Sequence, residues 1–347
     1  MTSVTVIGAS GYIGSEILRL LVNHPRIEEI IPVSRSLAGK NVVSYLTHLR
    51  GFIDHKLKFQ NMHFEKIDTD FLFVAAPPGK WIESIPSILD RGTRVISMGG
   101  KFRIKNPDID KKLYPDYDNE SLLNEAVYGL PELYRKEIKK ARFIANPGCY
   151  TTSIIPAIAP LSEFKSNLDL KSIVITSISG SSGAGVKLSK FLHHPNVSGN
   201  IKPYNILYHR HTPEMEFILS QHFNSELRIS FTPSVGDYSR GILSYISIFT
   251  KKEIKSDIIK HFQRYYKREP FIRILSSDKD NIPNLKDVVN TNFCDIGVNY
   301  DRTRKRILLL SALDNLIKGG SGTAVQNMNI MLGVDERLGL NIIALSP

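Results

Sequence analysis

Residues 146–152 place a cysteine where the backbone could make it reactive. The run 142–145 predicts a strand, and the near-helical spacing of apolar residues after the cysteine predicts a helix. Pro147 and Gly148 break the backbone between them, so we expect Cys149 at a helix N-terminus. Unpaired N–H groups and the helix dipole stabilise an anion there and lower a thiol's pKa. Cysteine is more often a small buried hydrophobic residue, but this corner favours a nucleophile.

A second group of reactive side chains lies in residues 208–216, which hold two histidines and two glutamates. His209 near a thiol could hold it as thiolate and then protonate a developing oxyanion. Glu214 could orient that imidazole. A zinc site is the competing interpretation, but thiolate, imidazole and carboxylate do not occur at metal-like spacing, and we expect no metal.

Two polar turns could bind an anionic substrate. Residues 179–185 follow a predicted strand, and their glycines, including Gly183, would let backbone N–H groups approach a phosphate. Ser181 and Ser182 would add hydroxyl donors. From this segment alone, a flexible loop is an equally good interpretation. Arg240, just before another predicted strand, could hold a carboxylate or phosphate through its fork of donors.

A glycine turn near the N-terminus indicates a dinucleotide site. Residues 4–7 predict a strand, Gly8–Gly14 follows at once, and residues 16–22 predict a helix, which is the order that dinucleotide binding requires. The spacing is G-x-x-G-x-x-G rather than G-x-G-x-x-G, so the motif alone is only moderately specific. A glycine turn without a ligand is the alternative, which the strand and helix on either side disfavour.

The end of the second predicted strand favours NADP over NAD. An NAD site usually has an acidic residue here for the ribose 2′-hydroxyl. This chain has Ser34, Arg35 and Ser36 instead, and a guanidinium with two hydroxyls suits a 2′-phosphate. An ordinary surface arginine is the alternative.

A cysteine nucleophile beside a nicotinamide site implies chemistry at the acyl level. A thiolate can attack an acyl phosphate, expel phosphate and leave a thioester that accepts hydride. The reverse direction runs from an aldehyde through a thiohemiacetal.

The elements that must position these groups fall into two domains. Alternating strands and helices over residues 1–148 predict an α/β domain with a doubly wound parallel sheet of the Rossmann type. Residues 149–314 are richer in strands and predict an α+β domain, on a mostly antiparallel sheet, for catalysis, substrate binding and oligomerisation. We expect residues 315–347, with a helix from Thr323 to about Leu332, to return to the first domain.

Composition excludes several classes of protein. The 347 residues are 42% hydrophobic and 23% charged, as in a globular protein of two domains. No apolar run could span a membrane, and no export signal precedes the first strand. Two cysteines in unlike contexts make a disulfide framework improbable, so we expect the cytoplasm. The net charge of +11 leaves nucleic acid, membrane surface, anionic small molecules and an acidic protein as partners, with DNA the weaker candidate.

Taken together, these motifs resemble the N-acetyl-γ-glutamyl-phosphate reductases and their lysine-pathway relatives. Those relatives reduce aminoadipyl or glutamyl phosphate carried on LysW, a small acidic amino-group carrier protein. The resemblance covers essentially the whole chain. The matching segments are residues 8–14, 34–36, 38–40, 128–132, 146–150, 181–185, 209–214, 240–243 and 314–322.

The resemblance implies a role for each matched residue. Cys149 is the nucleophile, His209 the acid/base and Glu214 its partner. The second domain is of the glyceraldehyde-3-phosphate-dehydrogenase-like α+β type. The NADP contacts implied are Gly8, Ser10, Gly11, Tyr12, Ile13, Gly14, Ser34, Arg35, Ser36 and Asn315, the last near the nicotinamide.

Within the family, residues 193–196 with Gly199, Ile201 and Tyr204 resemble the carrier-using branch. We therefore expect an NADPH-dependent reductase of carrier-linked aminoadipyl phosphate, and of glutamyl phosphate as well, in lysine and arginine synthesis. The alternative enzyme acts on free N-acetylglutamyl phosphate, and the non-enzyme alternative is a basic dinucleotide-binding regulator. We expect a homodimer or homotetramer. Residues 97–103 depart from the family pattern, because Ser97 and Lys101 replace two acidic residues, so contacts there are not carried over.

Overall fold

The computed structural model describes residues 2–116, 119–276 and 281–345. The chain divides into two compact units. The first contains the residues up to Pro147 together with Gly320–Asn341, and the second contains Gly148–Gly319 and the segment from Ile342. Within the described residues, no helix is both long and apolar enough to cross a membrane.

The first unit is built on a six-stranded sheet in the order β2-β1-β3-β4-β6-β5, and every neighbouring pair in it is parallel. The central strands are buried on both faces, as expected of a parallel sheet covered by helices. Its strands are β1 (Thr2–Ile7), β2 (Ile27–Val33), β3 (Phe71–Val74), β4 (Arg94–Ser97), β5 (Val127–Tyr128) and β6 (Phe143–Ala145).

Amphipathic helices connect these strands. Asn106 and Asn119 cap two of them by accepting N–H hydrogen bonds through their side chains. The helices are α1 (Tyr12–Val22), α2 (Val42–Tyr45), α3 (Trp81–Asp90), α4 (Pro107–Leu113), α5 (Glu120–Glu125) and α6 (Pro131–Ile138).

The second unit is built on a seven-stranded mixed sheet in the order β11-β12-β13-β10-β7-β9-β8. Four of its neighbouring pairs are antiparallel, and β7–β9 and β11–β12 are parallel. The strands are β7 (Ile173–Ser179), β8 (Lys202–Pro203), β9 (Ile229–Val235), β10 (Ile242–Phe249), β11 (Ile272–Leu275), β12 (Cys294–Asp301) and β13 (Arg306–Leu313). The helices are α7 (Cys149–Ile158), α8 (His194–Val197), α9 (His211–Phe223) and α10 (Ile258–Tyr265).

Helix α7 is fixed to the sheet by a buried network of hydroxyls. Ser153 shares hydrogen bonds of 3.0 Å with Ser244 of β10 and Ser311 of β13, and Ser244 shares one of 2.7 Å with Ser177 of β7. Buried hydroxyls are costly without partners, so this network favours one placement of the helix on the sheet. It fixes the start of α7, one turn away.

The chain returns to the first unit through a π-helix at Ile317–Ser321, followed by α11 (Gly322–Leu332). In that unit Asn327 donates to Asn146 Oδ1 at 3.0 Å and to Gly129 O at 2.8 Å. Helix α11 is buried on nearly every side, so it belongs to the core of the first unit.

Candidate active site

Cys149 is the first residue of α7, as the sequence predicted. Gly148, the N-cap, has extended backbone angles, and the Cys149 side chain is partly exposed. The surrounding backbone is packed tightly: a Cβ on Gly319 would lie 2.9 Å from Cys149 Cβ, and one on Gly148 would lie 2.4 Å from His211 Nε2. Only glycine fits at these two positions, and the close packing at both fixes the position of the Cys149 thiol.

Aromatic rings surround His209. Its ring centroid lies 5.3 Å from Tyr150, 5.7 Å from Tyr204 and 4.7 Å from His211, all edge-on. Its Nδ1 accepts the backbone N–H of His211 at 3.2 Å, so the neutral ring carries its proton on Nε2 and can donate from there. Rigid packing of this kind fixes an imidazole for proton transfer.

Burial lowers the pKa of His209 to about 4, and the neighbouring Arg210 charge adds to the effect. His209 is therefore neutral near pH 7. It cannot hold Cys149 as a thiolate by its own positive charge in the resting protein. Its Nε2–H can instead donate to a developing oxyanion, while the start of α7 stabilises the thiolate.

Glu214 does not meet the expectation that it orients His209. Its Oε1 accepts from Gly148 N at 3.1 Å and from Thr151 Oγ1 at 2.9 Å. Among the described residues, no hydrogen bond joins it to His209. One turn into α9, the side chain points toward the N–H groups at the start of α7 and joins the two helices there.

The sequence analysis did not single out the hydroxyl pair formed by Tyr150 and Tyr204, 2.9 Å apart. Burial raises the pKa of both hydroxyls, that of Tyr204 to about 12. Both stay protonated at neutral pH and are donors beside the thiol. Tyr150 follows the cysteine directly, which was the available signal, whereas Tyr204 is distant in sequence.

These groups line one cavity of about 380 Å³. It brings Cys149 together with His209, Ser181 and Gly183 from the sequence prediction. The other residues of its wall are Tyr150, Ser179, Gly180, Ala184, Ser189, Phe191, Leu192, Tyr204, Asn205, Tyr208, Arg210, His211 and Val235.

The glycine loop at residues 179–185 differs from the prediction. The N–H groups of residues 180–182 donate to carbonyls of residues 238–241, at 2.8 to 3.1 Å. Those of Gly183 and Gly185 donate within the loop. These backbone donors are occupied, so the loop cannot bind a phosphate through them. Its contribution is a rigid wall that presents the Ser181 side chain.

The remaining predicted substrate residues make internal contacts. Ser182 Oγ accepts from Asn315 Nδ2 at 2.9 Å. Arg240 lies 3.7 Å from Asp314, a carboxylate with no exposed surface. Neither Ser182 nor Arg240 is in the described cavity wall. Arg240 stabilises the buried Asp314 carboxylate, since a buried carboxylate without an opposite charge is costly.

The first glycine turn has the geometry of a nucleotide cradle. Gly8 has φ +78, and a Cβ there would lie 2.3 Å from Ala75 O. A Cβ on Gly14 would lie 2.2 Å from Gly8 O. Among the described residues, no hydrogen bond engages the N–H groups of Ser10, Tyr12, Ile13 and Gly14. Free donors at the N-terminus of α1 suit a pyrophosphate.

The predicted 2′-phosphate residues follow β2. Ser34 is buried, and its Oγ lies 2.8 Å from Ser10 Oγ, which joins the end of β2 to the glycine turn. Arg35 and Ser36 are exposed. Gly11 and the turn residues beside it lie in the same unit, so these cofactor candidates share one edge of the sheet.

Asn315, predicted beside the nicotinamide, is buried in the second unit. Its Oδ1 accepts from Gly241 N at 2.7 Å, and its Nδ2 donates to Ser182. Its amide oxygen and one N–H of its amide nitrogen thus have protein partners.

Lys101, which departs from the family pattern, forms a buried ion pair. Lys101 Nζ lies 2.5 Å from Asp110 Oδ2, and both side chains are almost fully buried. Asp110 Oδ1 also accepts from the backbone N–H of Phe102, which has φ +73. Lys101 therefore neutralises an acid on α4. In the parts of the chain that the structure describes, no group of three or more His, Cys, Asp or Glu side chains could hold a metal ion.

Comparison with known proteins identifies the class of enzyme. Residues 3–141 match the family described as semialdehyde dehydrogenase, NAD binding domain, and residues 149–315 match semialdehyde dehydrogenase, dimerisation domain. Aspartate semialdehyde dehydrogenase II from Vibrio cholerae aligns with 96% of this chain and 99% of its own, at 18% identity and a TM-score of 0.71. Aspartate semialdehyde dehydrogenase from Candida albicans, solved with NADP, aligns with 96% of this chain and 98% of its own, at 16% identity and a TM-score of 0.67. The predicted fold class is confirmed, and the chain is an oxidoreductase of the semialdehyde dehydrogenase type, which reduces an acyl phosphate.

Full-length relatives narrow the class. The chain is 41% identical to the N-acetyl-gamma-glutamyl-phosphate reductase of Methanocaldococcus jannaschii, over 100% of both chains. It is 38% identical to the enzyme of that name from Desulforamulus reducens, again over 100% of both. The chain belongs to the N-acetyl-gamma-glutamyl-phosphate reductase family, which confirms the predicted resemblance.

Proposed function

We propose that the chain reduces N-acetyl-γ-glutamyl phosphate to the semialdehyde with NADPH, through a thioester on Cys149. The observation that carries the proposal is the position of Cys149 at the start of α7, in a cavity with a neutral His209. The names of full-length relatives favour this small substrate over the carrier-linked one that the sequence first suggested.

Each step follows from the state of these side chains. Cys149 gives up its proton to solvent, because the start of α7 stabilises the thiolate, and the thiolate attacks the acyl carbon. The bond between that carbon and the phosphate oxygen breaks, and the departing phosphate takes a proton from solvent. NADPH, when bound, supplies hydride to the thioester. The His209 Nε2–H donates a hydrogen bond to the resulting oxyanion, and collapse of the thiohemiacetal breaks the carbon–sulfur bond and releases the semialdehyde and the Cys149 thiolate.

The hydroxyls of Tyr150 and Tyr204 support the same chemistry. They remain protonated because burial raises the pKa of each. Placed beside the thiol in the cavity wall, they can donate to charge that develops on the acyl oxygen.

NADP specificity is part of the proposal. Arg35 is exposed at the end of β2, within the unit that holds the glycine turn, and no ion pair among the described residues engages it. A guanidinium in this position pairs with a 2′-phosphate, and Ser36 adds a donor. The buried Ser34 links them to the turn.

A carrier-linked acyl phosphate is the second candidate, and one observation favours it. Lys187, Lys190 and Arg210 are exposed in or beside the loops that form the cavity wall, and Lys202 stacks 4.2 Å over Phe191. A basic rim of this kind would attract an acidic carrier protein over a distance that salt screens.

Turnover separates the two candidates. The purified chain is assayed for NADPH oxidation with N-acetylglutamyl phosphate, and with glutamyl and aminoadipyl phosphate, both free and carrier-linked. The proposal expects the acetylated substrate to have the highest kcat/KM. A higher kcat/KM for a carrier-linked substrate, falling steeply with added salt and with charge reversal of Lys187 and Lys202, would establish the second candidate instead.

We also propose that the chain forms a homodimer or homotetramer through its second unit. The side chains of Val174, Tyr245 and Phe249 are exposed on neighbouring strands β7 and β10. An exposed apolar sheet face is typical of an interface. Sedimentation should show an oligomer that Tyr245→Glu weakens; a wild-type monomer at micromolar concentration would contradict it.

A further inference from the structure

We propose that Arg210 is a substrate-binding residue, whose guanidinium holds the α-carboxylate of the substrate while the acyl carbon reacts at Cys149. This role rests on the proposed function, because it assumes N-acetylglutamyl phosphate in the cavity. It concerns only the second unit, to which every described residue of the cavity wall belongs.

The cavity wall contains a positive charge at Arg210. Its described residues include this one arginine and no lysine, aspartate or glutamate. His209 is neutral near pH 7, because burial and the Arg210 charge lower its pKa to about 4. N-acetylglutamyl phosphate carries negative charge on its phosphate and on its α-carboxylate. The guanidinium therefore supplies the opposite charge that such a substrate needs.

The backbone of Arg210 is fixed, whereas its side chain is available to a ligand. Arg210 is the N-cap residue of α9. Two hydrogen bonds close the turn around it: His211 N donates to His209 Nδ1 at 3.2 Å, and Thr212 N donates to His209 O at 2.9 Å. The side chain is exposed, and no hydrogen bond or ion pair with another described residue engages it. It can bind an anion without first losing a protein partner.

The position of Arg210 at the cavity mouth favours the α-carboxylate over the phosphate. Cys149 attacks the acyl carbon, so the phosphate on that carbon lies beside the thiol. His209 is buried there, whereas Arg210 is exposed. Three carbons separate the acyl carbon from the α-carboxylate, and the apolar side chains of Phe191 and Leu192 line the cavity where these carbons would pack.

The guanidinium suits a carboxylate in geometry as well as in charge. Its planar fork can donate two parallel hydrogen bonds to the two carboxylate oxygens. A substrate held at its α-carboxylate and packed along its carbon chain has few orientations left, so its acyl carbon stays near the thiol. The same fork also fits a phosphate, so the experiment must separate the two anions.

The experiment follows the reverse reaction, with NADP and inorganic phosphate at pH 8, in wild type and Arg210→Met. N-acetylglutamate semialdehyde carries the α-carboxylate, and 4-acetamidobutanal is the same molecule without it. The KM for the semialdehyde should rise about 10- to 100-fold in the variant, because charge-assisted hydrogen bonds are lost. The KM for 4-acetamidobutanal should be high in both proteins and differ by less than about twofold. His209 is neutral at pH 8 even without the Arg210 charge, since its ordinary pKa is 6.5.

The KM for inorganic phosphate, measured in the same assay, identifies which anion Arg210 binds. It should stay within about twofold of wild type in Arg210→Met. A rise in the KM for phosphate, with an unchanged KM for the semialdehyde, would overturn the proposal and assign Arg210 to the phosphate.

Two further variants serve as controls. Arg210→Lys keeps the charge and loses the fork, so its KM for the semialdehyde should rise only about threefold. Arg264→Met removes an exposed guanidinium from α10, outside the described cavity wall, and should leave every KM unchanged. An equal rise in Arg264→Met would overturn the proposal, because the net charge of the protein would then set the KM.

Alkylation of Cys149 by iodoacetamide tests the same contact without turnover. N-acetylglutamate should protect the wild-type thiol at a concentration about tenfold lower than it needs in Arg210→Met. The acid without the α-carboxylate, 4-acetamidobutyrate, should protect both proteins alike. A wild type that shows this difference but turns over no acyl phosphate would contradict the proposed function and leave the role of Arg210 established. Equal protection of both proteins by N-acetylglutamate would overturn that role whatever the turnover.

Discussion

The two glycine turns of this chain look alike in sequence and do opposite things in the structure. In Gly8–Gly14, four N–H groups at the start of α1 have no hydrogen-bond partner among the described residues. In residues 180–185, the N–H groups of five residues donate to carbonyls of the protein. The difference lies in the helix that each segment contains: α1, eleven residues long, starts at Tyr12 in the first, whereas the second holds only a short 3-10 turn at Ser181–Ala184. A helix start supplies donors that nothing else satisfies, whereas a turn between strands uses its own donors to close.

The strongest test separates covalent chemistry in the second unit from cofactor binding in the first. Cys149→Ser should lower turnover by a factor on the order of 10⁴ or more, because a hydroxyl is a poor nucleophile at neutral pH. NADPH binding, measured by its fluorescence, should stay within about twofold of wild type. Cys294→Ser is the matched control. Cys294 is buried and hydrogen-bonded to Ser311, and this variant should keep wild-type turnover. Substantial activity in Cys149→Ser would exclude a thioester.

The second test uses the buried imidazole of the second unit. The pKa of His209 is about 4 in the folded chain against 6.5 in the unfolded one. Above pH 6.5 both states are neutral there. As the pH falls toward 4, only the unfolded state takes up the proton, so wild type should lose stability, on the order of 3 kcal/mol. The His209→Asn variant should not show this loss of stability, because it has no imidazole at that position.

Denaturant unfolding at pH 7 and pH 4.5 measures that difference. The gap in unfolding free energy between wild type and His209→Asn should shift in favour of the variant at the lower pH. His55→Asn, at an exposed side chain, is the control. An unchanged gap would mean that the pKa of His209 is not lowered in the folded state, and its role as a neutral N–H donor to the oxyanion would fail.

The third test adds one methyl group to each glycine turn. Gly14→Ala would press on Gly8 O at 2.2 Å and should weaken NADPH binding roughly 10- to 100-fold, since overpacking costs about 1–3 kcal/mol. Gly180→Ala would press on Ser239 at 2.5 Å and should raise the substrate KM with NADPH binding intact. Gly185→Ala meets open space, so its strain at φ +78 should affect stability alone. If Gly14→Ala and Gly180→Ala weakened NADPH binding equally, the two glycine turns would not differ in their role in cofactor binding.

The smallest expected effect concerns the choice between NADP and NAD at Arg35, beside the first glycine turn. Arg35→Asp should weaken NADP binding about tenfold and narrow the preference over NAD, because a carboxylate repels the 2′-phosphate and accepts a 2′-hydroxyl. Dissociation constants for both cofactors measure it. An unchanged ratio would point to a neighbouring cation such as Lys40.

Sequence periodicity was sufficient for the elements whose pattern is strong and local. The glycine turn with α1, the corner at Cys149 and the fold class of both units needed only strand, breaker and helix in order. The start of α10 at Ile258 is local in the same way, because the Asp257 side chain caps it by accepting from Lys260 N.

Contacts between distant segments could not be predicted in this way. The occupied donors of residues 180–182 depend on carbonyls more than fifty residues away. Glu214 reaches the start of α7 instead of His209, and Tyr204 contacts Tyr150, because the packing of distant segments sets these pairs. Residue type indicates that a side chain could bind a ligand, but only tertiary packing decides whether it is already occupied.

The buried pair of Lys101 and Asp110 restricts how this protein can evolve. Replacing Lys101 by an acid, as the family pattern would have it, would place two carboxylates together without surrounding water, a loss on the order of several kcal/mol. Replacing Asp110 first would leave the buried Lys101 ammonium without a carboxylate, with Tyr114 O as a remaining hydrogen-bond acceptor. Each of these single steps leaves a buried charge without its opposite charge, so we expect positions 101 and 110 to change together. Descendants of this chain should therefore keep both residues or lose both at once.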